Sequence, residues 1–252
     1  MARKTWIGAN WKCNGSFELI KKLSSTYNEH KPGKADVVIF PPALYVFECQ
    51  KTFQKPYEIG VQSVFSAKCG AYTGDLCPEM LDDFNTQWVL VGHSERRAIH
   101  KESNCDIAQQ TRALISHNKK VVLCIGENQT QFTNNETKKV LDEQLSKILS
   151  NTDISDEKFA EIVIAYEPVW AIGTGISAEP KAISETINYI RASIAKTRSA
   201  ATAEKIRIVY GGSVNPENCD SFLKEETIDG LLVGGASIKP DFGQIIQAAN
   251  KA

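Results

Sequence analysis

Short apolar and β-branched runs recur along the chain at intervals of about 20–45 residues, strand-length segments separated by helix-length ones. Eight can be read, over residues 5–10, 36–40, 58–62, 88–91, 121–125, 162–166, 206–210 and 230–233. Most are continuously apolar rather than alternating, the pattern of parallel strands buried on both faces. The intervening segments carry helical spacing. Phe17, Ile20, Leu23 and Tyr27 follow the first run behind Ser16, a suitable helix cap, and Val140, Leu141, Leu145, Ile148 and Leu149 follow the fifth. After the sixth, Ile183, Ile187, Ile190 and Ile194 repeat behind Glu179 and Pro180, residues at home in a first helical turn. Eight β-then-α units predict a parallel sheet, either open and doubly wound or closed as a (β/α)8 barrel. Their number and the chain length of 252 residues favour the barrel. No low-complexity linker interrupts the pattern, and the polar stretch 151–158 is short enough for a loop, so residues 1–252 read as one domain.

Composition narrows the function classes. With 29 Lys+Arg against 30 Asp+Glu the net charge is −1, without the basic surplus of a nucleic-acid binder. No apolar run approaches a membrane span and the first residues lack a signal-peptide pattern, so a cytoplasmic protein is expected. The cysteines at positions 13, 49, 69, 77, 105, 124 and 219 are odd in number and contain no Cys-x-x-Cys pair, which suggests neither a disulfide framework nor a zinc site. Three Asn-x-Ser/Thr sequons, at Asn14, Asn128 and Asn135, read as chance matches without a secretory signal.

In a β/α barrel the chemistry sits where strands end and the following loops begin. The first run ends in Asn10 and Lys12, an amide and a cation, although Lys12 could equally be a solvated surface lysine. The fourth ends in His93, Ser94 and Glu95; His93 is the one histidine at a strand end, to be weighed against a structural role. The sixth releases Glu167 directly before Pro168. Its apolar neighbours Val163, Ala165, Val169 and Trp170 are expected to raise its pKa toward that of a general base, the alternative being a salt bridge. The loop 168–178, with Gly173 and Gly175, mixes apolar residues and glycine like a lid, or like a loop permanently packed on the rim. Gly211-Gly212-Ser213 and Gly234-Gly235 close the seventh and eighth runs, where this fold usually receives a phosphate on backbone N–H groups. The Rossmann-like spacing from Gly173 to Ala178 lies too far past its strand, and the next strand ends in Tyr210 rather than an acid, which argues against NAD. No P-loop, HExxH or calcium-loop motif occurs, so neither nucleotide nor metal is called for.

Taken together, the segments Gly8 to Asn14, Gly92 to Arg97, Cys124 to Glu127, Ala165 to Gly175, Tyr210 to Asn215 and Leu232 to Ser237 resemble the triosephosphate isomerase family, in family order from one end of the chain to the other. The resemblance implies a single-domain TIM barrel, soluble and cofactor-independent, that interconverts dihydroxyacetone phosphate and D-glyceraldehyde 3-phosphate through an enediolate, a step of glycolysis and gluconeogenesis. It implies Glu167 as base and His93 as neutral electrophile, with Lys12 and Asn10 on the substrate. Gly173, Ser213, Gly234 and Gly235 are implied as phosphate ligands, and Pro168, Trp170 and Ala178 as lid positions. Glu127, Tyr210, Ser94 and Glu95 are implied as supporting residues. It also implies a homodimer, with Tyr72, Thr73 and Gly74 at the tip of a docking loop beside the partner copy's first strand end, and with Cys13 at the interface. There Lys12 is expected to favour a reactive thiolate at Cys13.

The sequence departs from the family in three places: Asp75 stands where a glutamate is expected, Cys69 and Cys77 flank the loop tip, and no lysine follows Gly175. Two other readings compete. In one, a phosphosugar aldolase uses Lys12 as a Schiff base, which requires a desolvated amine; in the other, a non-catalytic barrel binds sugar phosphates.

Overall fold

The computed structural model describes residues 3–150, 152–172 and 178–251. Eight parallel strands form the wall of a barrel: β1 (Trp6–Asn10), β2 (Asp36–Phe40), β3 (Glu58–Ile59), β4 (Trp88–Val91), β5 (Lys120–Ile125), β6 (Val163–Tyr166), β7 (Arg207–Tyr210) and β8 (Gly230–Val233). Their spatial order is β3-β2-β1-β8-β7-β6-β5-β4. A parallel bridge between Val61 and Val89 brings the two ends of that order together, so the sheet is closed rather than open. The lacing is uneven. β4 to β7 are paired along their lengths, as are β8, β1 and β2. By contrast, β3 meets β4 through the bonds Val61 N–H to Trp88 O and Val61 O to Leu90 N–H, and the register of β7 with β8 is Tyr210 against Leu231.

The expected third strand is cut short at Gly60. A Cβ there would fall 2.4 Å from the Phe40 ring and 2.8 Å from Trp88 O, so the chain passes closer to its neighbours than a side chain allows. Inside the barrel, Trp6, Phe40 and Trp88 fill the space with Leu90, Val122, Cys124, Val163, Val209 and Leu232. The indoles of Trp6 and Trp88 lie 5.6 Å apart. Residues of opposite parity, among them Ile7, Val37, Leu123 and Ile164, face the helices instead and join the larger core between barrel and shell.

The helices form as the spacing predicts. Helix Pro180–Thr197 buries Ile183, Ile187, Ile190 and Ile194, with Pro180 in its first turn. Helix Thr137–Leu149 buries the five expected aliphatics. In helix Phe17–Glu29 the Ser16 hydroxyl accepts the Leu19 N–H at 3.0 Å, and Ile20, Leu23 and Tyr27 are buried. Phe17 departs from the expected inward face: it is 70% exposed and meets the Tyr45 ring edge-on. Residues 152–158 are not wholly loop, since Ser155 caps a short helix, Asp156–Phe159. Among the described residues no helix is long and apolar enough to cross a membrane.

Candidate active site

Parallel strands all end at one mouth of the barrel, so the residues that follow them meet there although the chain separates them widely. A cleft of about 380 Å³ at this mouth is bordered by Asn10, Lys12, His93, Glu167, Ser213, Gly234 and Gly235. A larger groove nearby, about 540 Å³, runs along Trp170, Glu179 and Tyr189, but neither His93, Lys12 nor Glu167 reaches it. Of the expected phosphate ligands, Gly173 lies outside the described residues.

Lys12 reaches the cleft through an uncommon backbone conformation, φ +53°, in the left-handed region. Two contacts hold it there: its N–H donates to Asn10 Oδ1 at 3.0 Å, and the Gln62 amide donates to its carbonyl at 2.8 Å. The Gln62 amide also donates to Phe40 O at 2.8 Å, tying the ends of β1, β2 and β3 together. Lys12 Nζ then sits 2.7 Å from Glu95 Oε1. Gln62 was not among the residues singled out from the sequence, and nothing in its local pattern marks it.

His93 caps helix Ser94–Ile99. Its Nδ1 accepts the Glu95 N–H at 3.2 Å, and an acceptor at Nδ1 leaves the ring proton on Nε2. Nε2 faces Glu167 Oε1 at 3.2 Å, and the other carboxylate oxygen accepts the Ser94 N–H at 3.0 Å. The surroundings of Glu167 therefore differ from the apolar ones expected: Val163 and Ala165 turn into the barrel interior, while the buried carboxylate is met by polar donors. Two glycines seat it. A Cβ on Gly126 would fall 1.7 Å from Glu167 O, and one on Gly211 would fall 2.9 Å from its Cγ. The Gln144 amide fixes Gly126 through a pair of bonds, donating to its carbonyl at 2.9 Å and accepting its N–H at 2.8 Å.

Glu127 is fully buried and accepts from the Tyr166 hydroxyl at 3.1 Å and from Trp170 Nε1 at 2.9 Å. Burial pushes its carboxyl above the usual range, partly offset by these donors. Trp170 also stacks on Phe132 at 4.2 Å, so the segment beginning at Pro168 is anchored from two sides. Burial pushes the Tyr210 hydroxyl up to about 12, and the backbone at Ala178 and Ser213 faces it. On the far side of the cleft the turn Gly235–Ile238 follows Gly234, and its first bond runs from Ser237 N–H to Gly234 O at 2.8 Å. The N–H groups of Gly235 and Ala236 precede that bond, at the end of the turn that an anion favours. Open space surrounds the Cβ position of Gly235.

At the proposed docking loop, Asp75 N–H closes the turn on Tyr72 O at 3.1 Å, with Gly74 at φ +94°. Arg97, on the helix that follows β4, donates to Gly92 O, Cys124 O and Asn104 Oδ1. Cys13 is exposed, as is Tyr72.

An acid, an imidazole and an ammonium, gathered at the C-terminal mouth of a parallel barrel beside a glycine-lined anion end, define an enzyme of the β/α-barrel class. Residues 5–249 match the family model described as triosephosphate isomerase. The triosephosphate isomerase of Candida albicans is 44% identical, covering 98% of this chain and 99% of the relative. That of Debaryomyces hansenii is 43% identical with the same coverage. The chloroplastic enzyme of Secale cereale is 41% identical over 96% of this chain and 80% of its own length. The chain belongs to the triosephosphate isomerase family and is an intramolecular aldose–ketose isomerase.

Proposed function

We propose that the whole chain acts as one catalytic barrel that interconverts dihydroxyacetone phosphate and D-glyceraldehyde 3-phosphate through an enediolate. Glu167 removes a proton from the carbon beside the carbonyl and returns it to the neighbouring carbon. His93 donates Nε2–H to the carbonyl oxygen, and Lys12 and Asn10 stabilise the negative charge that develops there. A carboxylate base paired with a neutral imidazole is the known arrangement of this family rather than something the distances establish. The observation that carries the reading is the His93 geometry. An imidazole whose Nδ1 is already an acceptor presents a single donor, Nε2–H, toward the carboxylate and the cleft.

In the ligand-free arrangement Glu167 is bonded to Ser94 N–H and His93, so a substrate entering between the two side chains must exchange those contacts for its own. The N–H groups at Ser213, Gly234 and Gly235 receive the phosphate, with Gly173 completing the set. Pro168, Trp170 and Ala178, with Trp170 anchored on Glu127, serve as lid positions that exclude water while the enediolate exists, a known family behaviour; residues 173–177 of that loop lie outside the described residues. The Lys12–Glu95 ion pair suits a fixed positive charge better than a free amine nucleophile, which favours this reading over a Schiff-base aldolase.

A homodimer fits the surface: Phe17, Leu44, Phe47, Tyr72, Met80 and Phe84 are all exposed apolar side chains. Phe47 and Phe84 meet at 6.1 Å and Phe17 and Tyr45 at 5.9 Å, joining segments that follow different strands.

The test is steady-state conversion of glyceraldehyde 3-phosphate without added nucleotide, for the natural chain beside Glu167→Gln. Rapid turnover lost in the variant is expected. A folded, phosphate-binding chain that does not turn over would overturn the reading in favour of a non-catalytic barrel.

A further inference from the structure

Away from the mouth, the fold assembles a donor cluster that sequence spacing does not reveal. Cys69 Sγ, Cys77 Sγ and a Glu79 carboxylate oxygen lie within 4.8 Å of one another, at the base of the loop that carries Tyr72. Cys69 Sγ is 4.0 Å from Glu79 Oε2. A fourth donor comes from another element: His117, which caps the C-terminus of helix Asn104–Ser116, places Nε2 3.5 Å from Glu79 Oε1.

We propose that Cys69, Cys77, Glu79 and His117 bind a borderline-soft divalent cation of the zinc class at a structural site. Two sulfurs, one imidazole nitrogen and one carboxylate oxygen form a donor set that such a cation accepts in tetrahedral geometry. Bond lengths of that site imply donor-to-donor edges of about 3.3–3.8 Å, so the Cys69, Cys77 and Glu79 donors need to contract by about an ångström, and the His117 ring has to turn in from Glu79 toward the two sulfurs.

Two details outside the donors fit the same reading. His117 Nδ1 lies 2.8 Å from Ala113 O, and donation there leaves Nε2 as the lone-pair nitrogen; a metal-bound histidine is commonly oriented by such a carbonyl. The Met80 N–H donates to Cys77 O at 3.2 Å, so the turn that carries Glu79 starts from Cys77 itself. Each thiol releases its proton to solvent on binding, so the cation replaces two S–H bonds with two metal–sulfur bonds and no oxidant is required. The site would fasten both ends of the loop to the barrel body, because Cys69 precedes the tip, Cys77 and Glu79 follow it, and His117 belongs to the shell of helices.

The experiment is titration of the reduced full-length chain with Co2+ and Zn2+, following thiolate-to-cobalt absorption and the metal retained after desalting. One equivalent per chain is expected, with tetrahedral Co2+ bands displaced by Zn2+. Cys69→Ser, at an exposed position, and Cys77→Ser are each expected to abolish the thiolate band. His117→Ala and Glu79→Gln are expected to weaken binding at least about tenfold, the lower end of what even a supporting partner is worth. Cys105→Ser, at an exposed thiol on the same helix as His117, is expected to bind like the natural chain. Retention unchanged in Cys69→Ser/Cys77→Ser would overturn the proposal. So would recovery of the chain from cells with a Cys69–Cys77 disulfide and no metal, which would make the pair a redox element instead. Retained isomerase turnover in each variant reports that it is folded.

Discussion

The two ends of the barrel treat charge in opposite ways. At the N-terminal end, Asp229 receives Arg3 at 2.5 Å, Arg191 at 2.8 Å and the Ile208 N–H at 2.7 Å. Asp36 is held between Lys4 at 2.5 Å and Arg207 at 2.8 Å. Partial burial pushes the Asp36 carboxyl up, but these two cations more than compensate and leave it below the usual range. Both oxygens of each of these carboxylates are met by a cation. At the C-terminal end, Glu167, His93, Glu95 and Lys12 share a short chain of contacts, of which those made by Glu167 are the ones the proposed substrate would exchange. Saturated charges stabilise the closed barrel, and exchangeable ones leave the mouth available for chemistry, in line with the usual division of this fold.

That contrast can be broken most severely at the bottom. Asp229→Ala strands two arginines that are largely buried and should cost about 3–5 kcal/mol of stability, with little change in turnover per folded molecule. Denaturant unfolding alongside active-site-normalised kinetics reads both. At the mouth the reverse is expected. Glu167→Asp withdraws the carboxylate by roughly one methylene and should lower kcat by on the order of a hundredfold, with an unfolding midpoint close to that of the natural chain. Turnover equal to the natural chain's would remove Glu167 from the role of base.

Gly234→Ala is a milder probe. Its Cβ would approach Lys12 Cε at 3.3 Å and crowd the anion end, so the inhibition constant of a phosphate analogue should rise about tenfold, equivalent to about 1.4 kcal/mol. An unaltered constant would move the phosphate elsewhere. The smallest effect concerns Glu127. Burial raises its carboxyl in the folded state, so between its unfolded value near 4.5 and its higher folded value the folded chain holds the proton more firmly than the unfolded one. Stability contributed by this group therefore declines as pH rises through that window. Glu127→Gln should lose the decline, visible as a stability difference that shifts in the variant's favour from acid to neutral pH.

Much of this division was legible in the chain. Continuous apolar runs matched the strands to within a residue, because a strand buried on both faces leaves little room for polar residues; the exception is the third, which ends at Ile59 rather than Gln62. Glycine and polar residues at the strand ends marked the mouth, and Asn10, Lys12, His93 and Glu167 do border one cleft. The failures have physical causes. Periodicity placed Phe17 inward with Ile20, yet the first turn of its helix projects past the core toward Tyr45. Flanking residues suggested an apolar pocket for Glu167; Val163 and Ala165 do share its face but lie deeper in the barrel, and the polar groups that meet the carboxylate come from the end of β4 and its following helix. Gln62 and Gln144 act through paired amide bonds to distant backbone, which no local pattern records. The cluster of Cys69, Cys77 and Glu79, with His117 brought beside Glu79 from about 40 residues away in sequence, could be read only after folding.

The uneven lacing of the wall also divides the proposed catalytic residues. The thin seams at β3/β4 and β7/β8 separate two half-shells, one built from β4 to β7 and the other from β8, β1, β2 and β3. His93, Glu127 and Glu167 ride on the first half-shell, while Asn10, Lys12, Gly234 and Gly235 ride on the second. The first is a continuous stretch of chain and can assemble from neighbours, whereas the second must join β8 from one terminus to β1 from the other and pays the entropy of a long closure. Neither half holds both the base and the cation. With the proposed base and cation on different halves, turnover is expected only while both seams are closed, and activity would then report on the integrity of the ring.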